Sequence, residues 1–316
     1  MSPRLAPLRP AAAPEARWRR VRRLVPLALV LALTALVVPP ATVREAPMSL
    51  VRVQSAENVD RHPDVVWVLM LGSDARPGQS VLRSRADAIQ LVGLNTRTRA
   101  GVAMGIPRDS YVPVPGYGRQ KINSAMVFGG PQLMARAVGD MVGIRPDYVF
   151  TTSFPGFANM VNAIGGITVQ SKYAFSDPVR PRGYQVGPNR VNGWQAMIFS
   201  RLRKPFPRGD FDRSANQQRT LQAILREVRA NRSRPGFMER GLMSVLKNLD
   251  TPNVSPSELY RLAHAAALVE PKKLKGCVIN GGTGYVGAAS VVFADIGQAR
   301  SIASRVRNDA TLEGGC

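Results

Sequence analysis

The residues best placed to do chemistry are aspartates and arginines at the ends of apolar runs. Asp74 closes the run DVVWVLMLGSD, Asp87 follows in SRADA with Arg85 two residues before it, and Arg108 and Asp109 close GVAMGIPRD. Lys121 stands in GRQKINSA, a loop that begins at Gly116 and Gly118. Two carboxylates able to share one cation, ringed by basic groups, describe a site for a divalent metal and a polyphosphate. Oxygen ligands favour Mg²⁺ or Mn²⁺, which bridge phosphate oxygens and offset the charge that develops on them. A lone aspartate at a strand end is more often a turn or cap residue, so the weight rests on the joint pattern.

A second basic group is denser. FSRLRKPFPRGDFDRSANQQR, Phe199 to Arg219, holds five arginines and one lysine against two aspartates. The bland reading is a solvated loop, and helical phase argues against it. Trp194, Met197 and Ile198 have the spacing of one buried face, and Arg201 continues it. Leu221, Ile224, Leu225 and Val228 form the next stripe, which leads back in steps of four to Gln217 and Arg213. Arg219 and Arg226 fall on other faces and read as surface charge. Arg201, Arg213 and Gln217 therefore point inward. A buried arginine without a partner costs several kcal/mol, so an anion is expected beside them.

Other chemistries lack their residues. The histidines are His62 and His264, which supply no triad, zinc site or general base. There is no G-x-S-x-G elbow and no Walker A sequence. Gly282, Gly284 and Gly287 satisfy G-x-G-x-x-G, but a strand is expected after them where a dinucleotide site needs a helix, so they read as a turn.

Those site residues need a scaffold. DVVWVLMLGSD is expected to be a strand buried on both faces, and AIQLVGLN and GVAMGIP an antiparallel pair around TRTRAG. PQLMARAVGDMVG reads as a helix with Pro131 in its first turn and Gly143 past its end. DYVFTTSF and ITVQ are strands flanking the helix GFANMVNAI. GFMERGLMSVLKNL and SPSELYRLAHAAALV are helices, the second opened by a serine cap. KGCVING and VVFAD close the sheet before a last helix. This alternation predicts one α/β domain, with helices on both faces of a mixed sheet.

The compartment follows from the N-terminus. The 316-residue chain carries a net charge of +22, which suits nucleic acid, an acidic membrane or an anionic polymer. Seven arginines precede residue 24, and an uncharged run of 20 residues follows from Leu24 to Val43. At 1.5 Å per residue such a helix reaches across roughly 30 Å of hydrocarbon. A cleaved signal peptide would also fit Leu24–Val38, but no good cleavage site follows. Residues 1–23 are thus expected to be a cytoplasmic tail, 24–43 a transmembrane signal anchor, 44–63 a tether and 64–316 an exported domain. Export argues against nucleic acid as the partner. Outside the membrane, Cys277 and Cys316 fit either a disulfide or two isolated thiols.

Taken in order, LMLGSDAR, the R-x-D of RADA, IPRDSYVPVPGYGRQKIN, the GG after MVF, FPGFANMVNAIGGITV, VNGWQAMIFSRLR and GDFDRSANQQR resemble the LytR–CpsA–Psr family of membrane-anchored phosphotransferases. The resemblance runs from Val65 to Val228, and GGTGYVGAASVVF and the anchor extend it. It implies an α/β/α sandwich with a hydrophobic groove for a lipid tail. It also implies transfer of a glycopolymer from a polyprenyl-pyrophosphate carrier to peptidoglycan through a phosphodiester. On matching positions, Asp74 and Asp87 would be metal ligands with Arg85 between them, and Arg108 a pyrophosphate ligand or catalytic group. Lys121, Arg201, Arg203, Arg213 and Gln217 would surround the phosphates, Arg203 on resemblance alone. Asn216 departs from the arginine many relatives carry there. A polyprenyl-pyrophosphate phosphatase and a non-catalytic lipid-phosphate-binding regulator are the competing readings.

Overall fold

The structure, a computed structural model, describes residues 46–54, 64–237, 240, 245–314 and 316. The expected tail and signal anchor lie outside the described residues, as do parts of the tether and of the helix GFMERGLMSVLKNL. Among the described residues no helix is long and apolar enough to cross a membrane.

In chain order, β1 (Met48–Arg52), β2 (Val65–Ser73), β3 (Ala86–Asn95) and β4 (Gly101–Gly105) precede the hairpin of β5 (Tyr111–Val114) and β6 (Gly118–Lys121). Next come α1 (Ala125–Val142), β7 (Tyr148–Ser153), α2 (Phe154–Ala163) and the short strands β8 (Ile167–Ser171), β9 (Phe175–Asp177), β10 (Arg180–Tyr184) and β11 (Gly187–Val191). The helices α3 (Gly193–Arg201) and α4 (Asp210–Asn231) carry the basic stretch. The chain then runs through β12 (Leu249–Asp250), α5 (Pro256–Leu268), β13 (Leu274–Val278), β14 (Gly281–Val286), β15 (Ala289–Ala294) and α6 (Ile296–Val306).

A seven-stranded mixed sheet runs β12-β1-β7-β2-β3-β4-β13. Its first face is closed. Trp67, Leu69, Leu71, Ile89 and Leu91 meet Leu133, Met134 and Val138 of α1 and Ile302 of α6 in one buried cluster. Trp67 fits because Gly93 stands opposite it in β3, where an added Cβ would come within 2.7 Å of the indole. The second face is covered by α4 and α5, and only in part. Val66, Val68 and Phe150 stay half-buried against Leu259 and Leu262. β2 therefore alternates buried and half-buried side chains, where its apolar sequence predicts burial on both faces.

Local signals place the helix ends as expected. Gly143 is left-handed at the end of α1, and Pro131 follows a kink at Gly130. Ser255 and Glu258 form a reciprocal capping box at the start of α5.

Two long-range expectations need correction. Met48–Arg52, expected within the tether, pairs antiparallel with β7 inside the central sheet. Met48, Leu50 and Val51 are buried there, which a solvated tether could not offer them. VVFAD does not join the central sheet: it forms β15, which pairs with β14 in a separate hairpin and makes one isolated bridge from Val292 to Ser110. The G-x-G-x-x-G glycines lie on that hairpin, with Gly287 left-handed at its turn. The disulfide is present: Cys277 of β13 is bonded to Cys316, with 5.6 Å between their Cα atoms.

Candidate active site

Asp87 owes its position to a slip in strand register. Gly72 pairs with Ala88, but Ser73 pairs with Ala86, so Asp87 is left without a cross-strand partner. Such bulges re-aim side chains. Here the carboxylate turns to α4, which Gln90 on the same strand also contacts through Ser214 and Gln217. Three guanidinium groups converge on it. Oδ1 accepts from Arg108 and, at 3.5 Å, from Arg213; Oδ2 accepts from Arg201 Nε at 3.2 Å.

A second carboxylate, after β4, repeats the arrangement. Asp109 receives Lys121 Nζ at 3.2 Å and lies 3.7 Å from both Arg108 and Arg203. Arg108 is thus shared between two acids. A third acid, Asp210, pairs with Arg213 from the preceding turn. As the first residue of α4 it also faces the positive end of the helix dipole, where an anion is favoured. Arg201 ends α3 and lies over the Phe154 ring, 4.1 Å from its centroid. Gln217 is held on both sides: its Oε1 accepts from Gln90 and its Nε2 donates to the Ser200 carbonyl.

Five cations (Arg108, Lys121, Arg201, Arg203 and Arg213) thus face three carboxylates, an excess of two positive charges. The titration shifts reflect this crowding. Burial would lower Arg108, but Asp87, Asp109 and Asp210 outweigh it and hold the guanidinium above its ordinary value. Arg213 goes the other way: burial lowers it, and the charges of Arg108 and Arg203 add to the effect against Asp210 and Asp87. Burial raises the Asp210 carboxyl, and the like charge of Asp109 adds to this against Arg213. The Nε groups of Arg108 and Arg213 are buried without hydrogen-bond partners among the described residues. A cluster of this kind is a poor source of stability, because desolvation offsets much of its Coulombic gain. It is chemically suited to a multivalent anion.

The inward stripes predicted from sequence are partly met. Arg213 and Gln217 are buried as expected. Arg201 reaches Asp87, yet 44% of its side chain is exposed. Trp194 is 46% exposed, while Met197 is buried as expected, beside Ala196 and Phe199. Arg219, read as surface charge, is half-buried and bonded to Asn216 Oδ1 at 2.7 Å, and burial lowers its pKa. Asn216 is thus engaged as a partner for a neighbouring arginine.

Asp74 and Arg85 sit on facing strand ends, where the Asp74 N–H donates to the Arg85 carbonyl at 3.0 Å. Their side chains join no ion pair among the described residues. Arg85 is exposed. No cluster of three acidic, histidine or cysteine side chains suited to a metal occurs among the described residues. Two carboxylates can hold magnesium when phosphate oxygens and water complete its shell. Both Asp87 oxygens already accept from arginine, so a cation would replace one of those contacts. Sequence reasoning singled out Asp109 without giving it a role and passed over Asp210; the GDF string carried the signal for the latter. Nothing in the sequence pointed to Gln90.

Comparison with known proteins agrees with this architecture. The LytR_cpsA_psr family model matches residues 41–308. The polyisoprenyl-teichoic acid–peptidoglycan teichoic acid transferase TagU of Bacillus licheniformis is 30% identical over 236 residues, covering 72% of this chain and 74% of that protein. The crystal structure of B. subtilis TagU superposes with a TM-score of 0.59 at 26% identity, covering 79% of this chain and 99% of the other. TagT bound to LI-WTA gives a TM-score of 0.63 at 25% identity, over 78% and 91% of the two chains. With the family model spanning both basic motifs and the sheet that carries them, the chain belongs to the LytR_cpsA_psr family.

Proposed function

We propose that this protein is a membrane-anchored phosphotransferase that moves a glycopolymer from a polyprenyl-pyrophosphate carrier to a hydroxyl of peptidoglycan, leaving a phosphodiester. The observation that carries the reading is the junction of the charged cluster with the half-open sheet face. Met70 pairs with Gln90, and Val68 and Val66 continue the same face away from Asp87. An amphiphile with an anionic head and a long apolar tail fits that sequence of surfaces. A pyrophosphate diester carries two negative charges, which equals the excess on the cluster. The names of the relatives support a teichoic acid or a similar wall polymer as cargo.

In this reading Arg108, Arg201 and Arg213 hold the pyrophosphate through paired N–H groups, with Arg203, Lys121 and Gln217 at its flanks. Preorganised donors of this kind are usually the largest catalytic contribution in phosphoryl transfer. The acceptor oxygen bonds to the glycan-side phosphorus while the bond to polyprenyl phosphate breaks, and the hydroxyl proton passes to a carboxylate or water. Asp74 and Asp87, beside Arg85, would hold Mg²⁺ or Mn²⁺, which would supply charge neutralisation on the pyrophosphate. Residues 24–43 would anchor the chain with the catalytic domain outside the cytoplasmic membrane. The Cys277–Cys316 disulfide supports that side, since such bonds persist in oxidising compartments.

The test is turnover of a prenyl-pyrophosphate-linked glycan by the full chain in lipid, with and without peptidoglycan. Glycan should become covalently bound to peptidoglycan as polyprenyl phosphate is released. Release that ignores the acceptor would make the protein a phosphatase, and absence of turnover would make it a binder.

A further inference from the structure

A cavity of about 360 Å³ opens on the side of the cluster away from the sheet. One wall is Asp109, Arg203 and Asp210, the acids and base of the cluster itself, and Phe206 adds an apolar surface. The opposite wall comes from the β14–β15 hairpin through Thr283, Ser290 and Val292. Hydrogen bonds to the site tie this hairpin in place. The Val292 N–H donates to the Asp109 carbonyl at 2.9 Å, and Arg208 donates to Asn280 Oδ1 at 2.9 Å. The pairing of Thr283 with Val292 and of Tyr285 with Ser290 puts Tyr285 on the same face of the hairpin as these wall residues. Its ring is 75% exposed.

The lining is more mixed than the Asp87 end of the site. Beside Arg203 and Lys204 it offers hydroxyls, carboxylate oxygens and one phenyl ring, and the exposed Tyr285 ring lies on the same hairpin face. Sugars present hydroxyls at their edges and C–H groups on their faces, so a pocket that holds one combines acceptors with aromatic surface. The volume lies within the range of about 300–1,000 Å³ typical of small-molecule sites. A sugar seated here would direct a hydroxyl past Asp109 toward the phosphate held by Arg108 and Arg203.

We infer that this cavity seats the acceptor: a sugar of the peptidoglycan glycan strand enters between the Asp109–Asp210 wall and the β14–β15 hairpin, with Tyr285 as the platform for the next sugar. This rests on the phosphotransferase reading above. It adds where the acceptor binds and which residues select it.

The experiment uses the full chain, the lipid-linked glycan donor, and a soluble oligosaccharide of alternating N-acetylglucosamine and N-acetylmuramic acid. Acceptor KM, kcat and donor affinity are measured for the wild type, Tyr285→Ala and Ser290→Trp. Tyr285→Ala, at an exposed position, should raise acceptor KM about threefold to tenfold, as expected for one lost aromatic contact, with kcat and donor affinity unchanged. Ser290→Trp fills the cavity and should lower acceptor kcat/KM by about tenfold or more at normal donor affinity. Wild-type acceptor KM in both variants would overturn the pocket while leaving the phosphotransferase reading intact. Loss of donor affinity in Tyr285→Ala would also overturn it, by giving the cavity to the donor glycan. If Ser290→Trp fails to fold, the Tyr285→Ala result decides. A wild-type protein that never transfers to the oligosaccharide or to peptidoglycan would instead sink the parent reading.

Discussion

The two faces of the central sheet are built from the same strands and have opposite characters. On one face, Trp67, Leu69, Leu71, Ile89 and Leu91 are sealed under α1 and α6. On the other, Val66, Val68, Met70 and Phe150 stay half-buried, and the chain spends burial on Gln90, Asp87, Arg213 and Gln217. Apolar burial stabilises by about 25 cal/mol per Å². Desolvating charges costs most of what their pairing returns. The first face therefore holds the fold, and the second keeps strained charge and open apolar surface where a ligand can complete both. If that division is right, damage to the two faces should be separable.

The largest effect is expected on the closed face. Trp67→Ala should cost about 3–5 kcal/mol in chemical unfolding, through lost transfer energy and the cavity left behind. The fraction that stays folded should keep its transfer rate. A folded variant with depressed turnover would show that the faces are coupled.

Arg213→Lys tests the open face. A lysine keeps the charge but cannot bridge Asp87 and Asp210 as the guanidinium does. Transfer should fall about a hundredfold to a thousandfold, the usual loss for one transition-state donor, in a protein that still unfolds cooperatively. If transfer is normal, or is lost only with folding, the cluster is structural.

Val68→Ala should cost only about 1 kcal/mol in stability because the side chain is half-buried. Affinity for a long prenyl pyrophosphate should nonetheless drop relative to a short water-soluble pyrophosphate. Equal affinity of the wild type for both would remove the groove.

A smaller effect is expected where α5 is pinned over the open face. Glu258 accepts from Ser255 N–H and Oγ–H, from Tyr148 and from Arg52. Those bonds, with the Ser255 backbone first, hold its carboxyl below its ordinary value of 4.5. A depressed acid contributes stability above its unfolded pKa and loses it as pH falls through the folded one. Glu258→Gln should cost less than about 1 kcal/mol near neutrality. The gap to wild type should close as pH falls below the ordinary carboxylate range, which urea titrations across pH can check. The smallest change belongs to Arg226→Ala, which is exposed on α4 and should stay within about 0.5 kcal/mol with normal transfer. Arg219 is unsuited to this comparison, since it is half-buried and bonded to Asn216.

Much of this molecule was legible one segment at a time. Helix ends at Gly143 and Ser255, the antiparallel pair β3–β4 and the inward phase of Arg213 and Gln217 all follow from rules that act within a few residues. Such rules work because backbone hydrogen bonding and side-chain phase are local. The charge pattern also announced partners for the inward guanidinium groups, since such groups are too costly to bury alone, and Asp87 and Asp210 are among those partners. Which acid meets which arginine was a different matter. Asp87 and Arg213 are 126 residues apart and meet because a register slip in β3 turns one toward the helix that carries the other. β1 joined the sheet, and VVFAD left it, through pairings that depend on which edge was still free. The half-burial of Val68 depends on how far α5 reaches, which no residue of β2 encodes. Periodicity fixes which way a side chain points, but only the packed structure decides what waits there, because contacts between distant segments are selected by the whole fold at once.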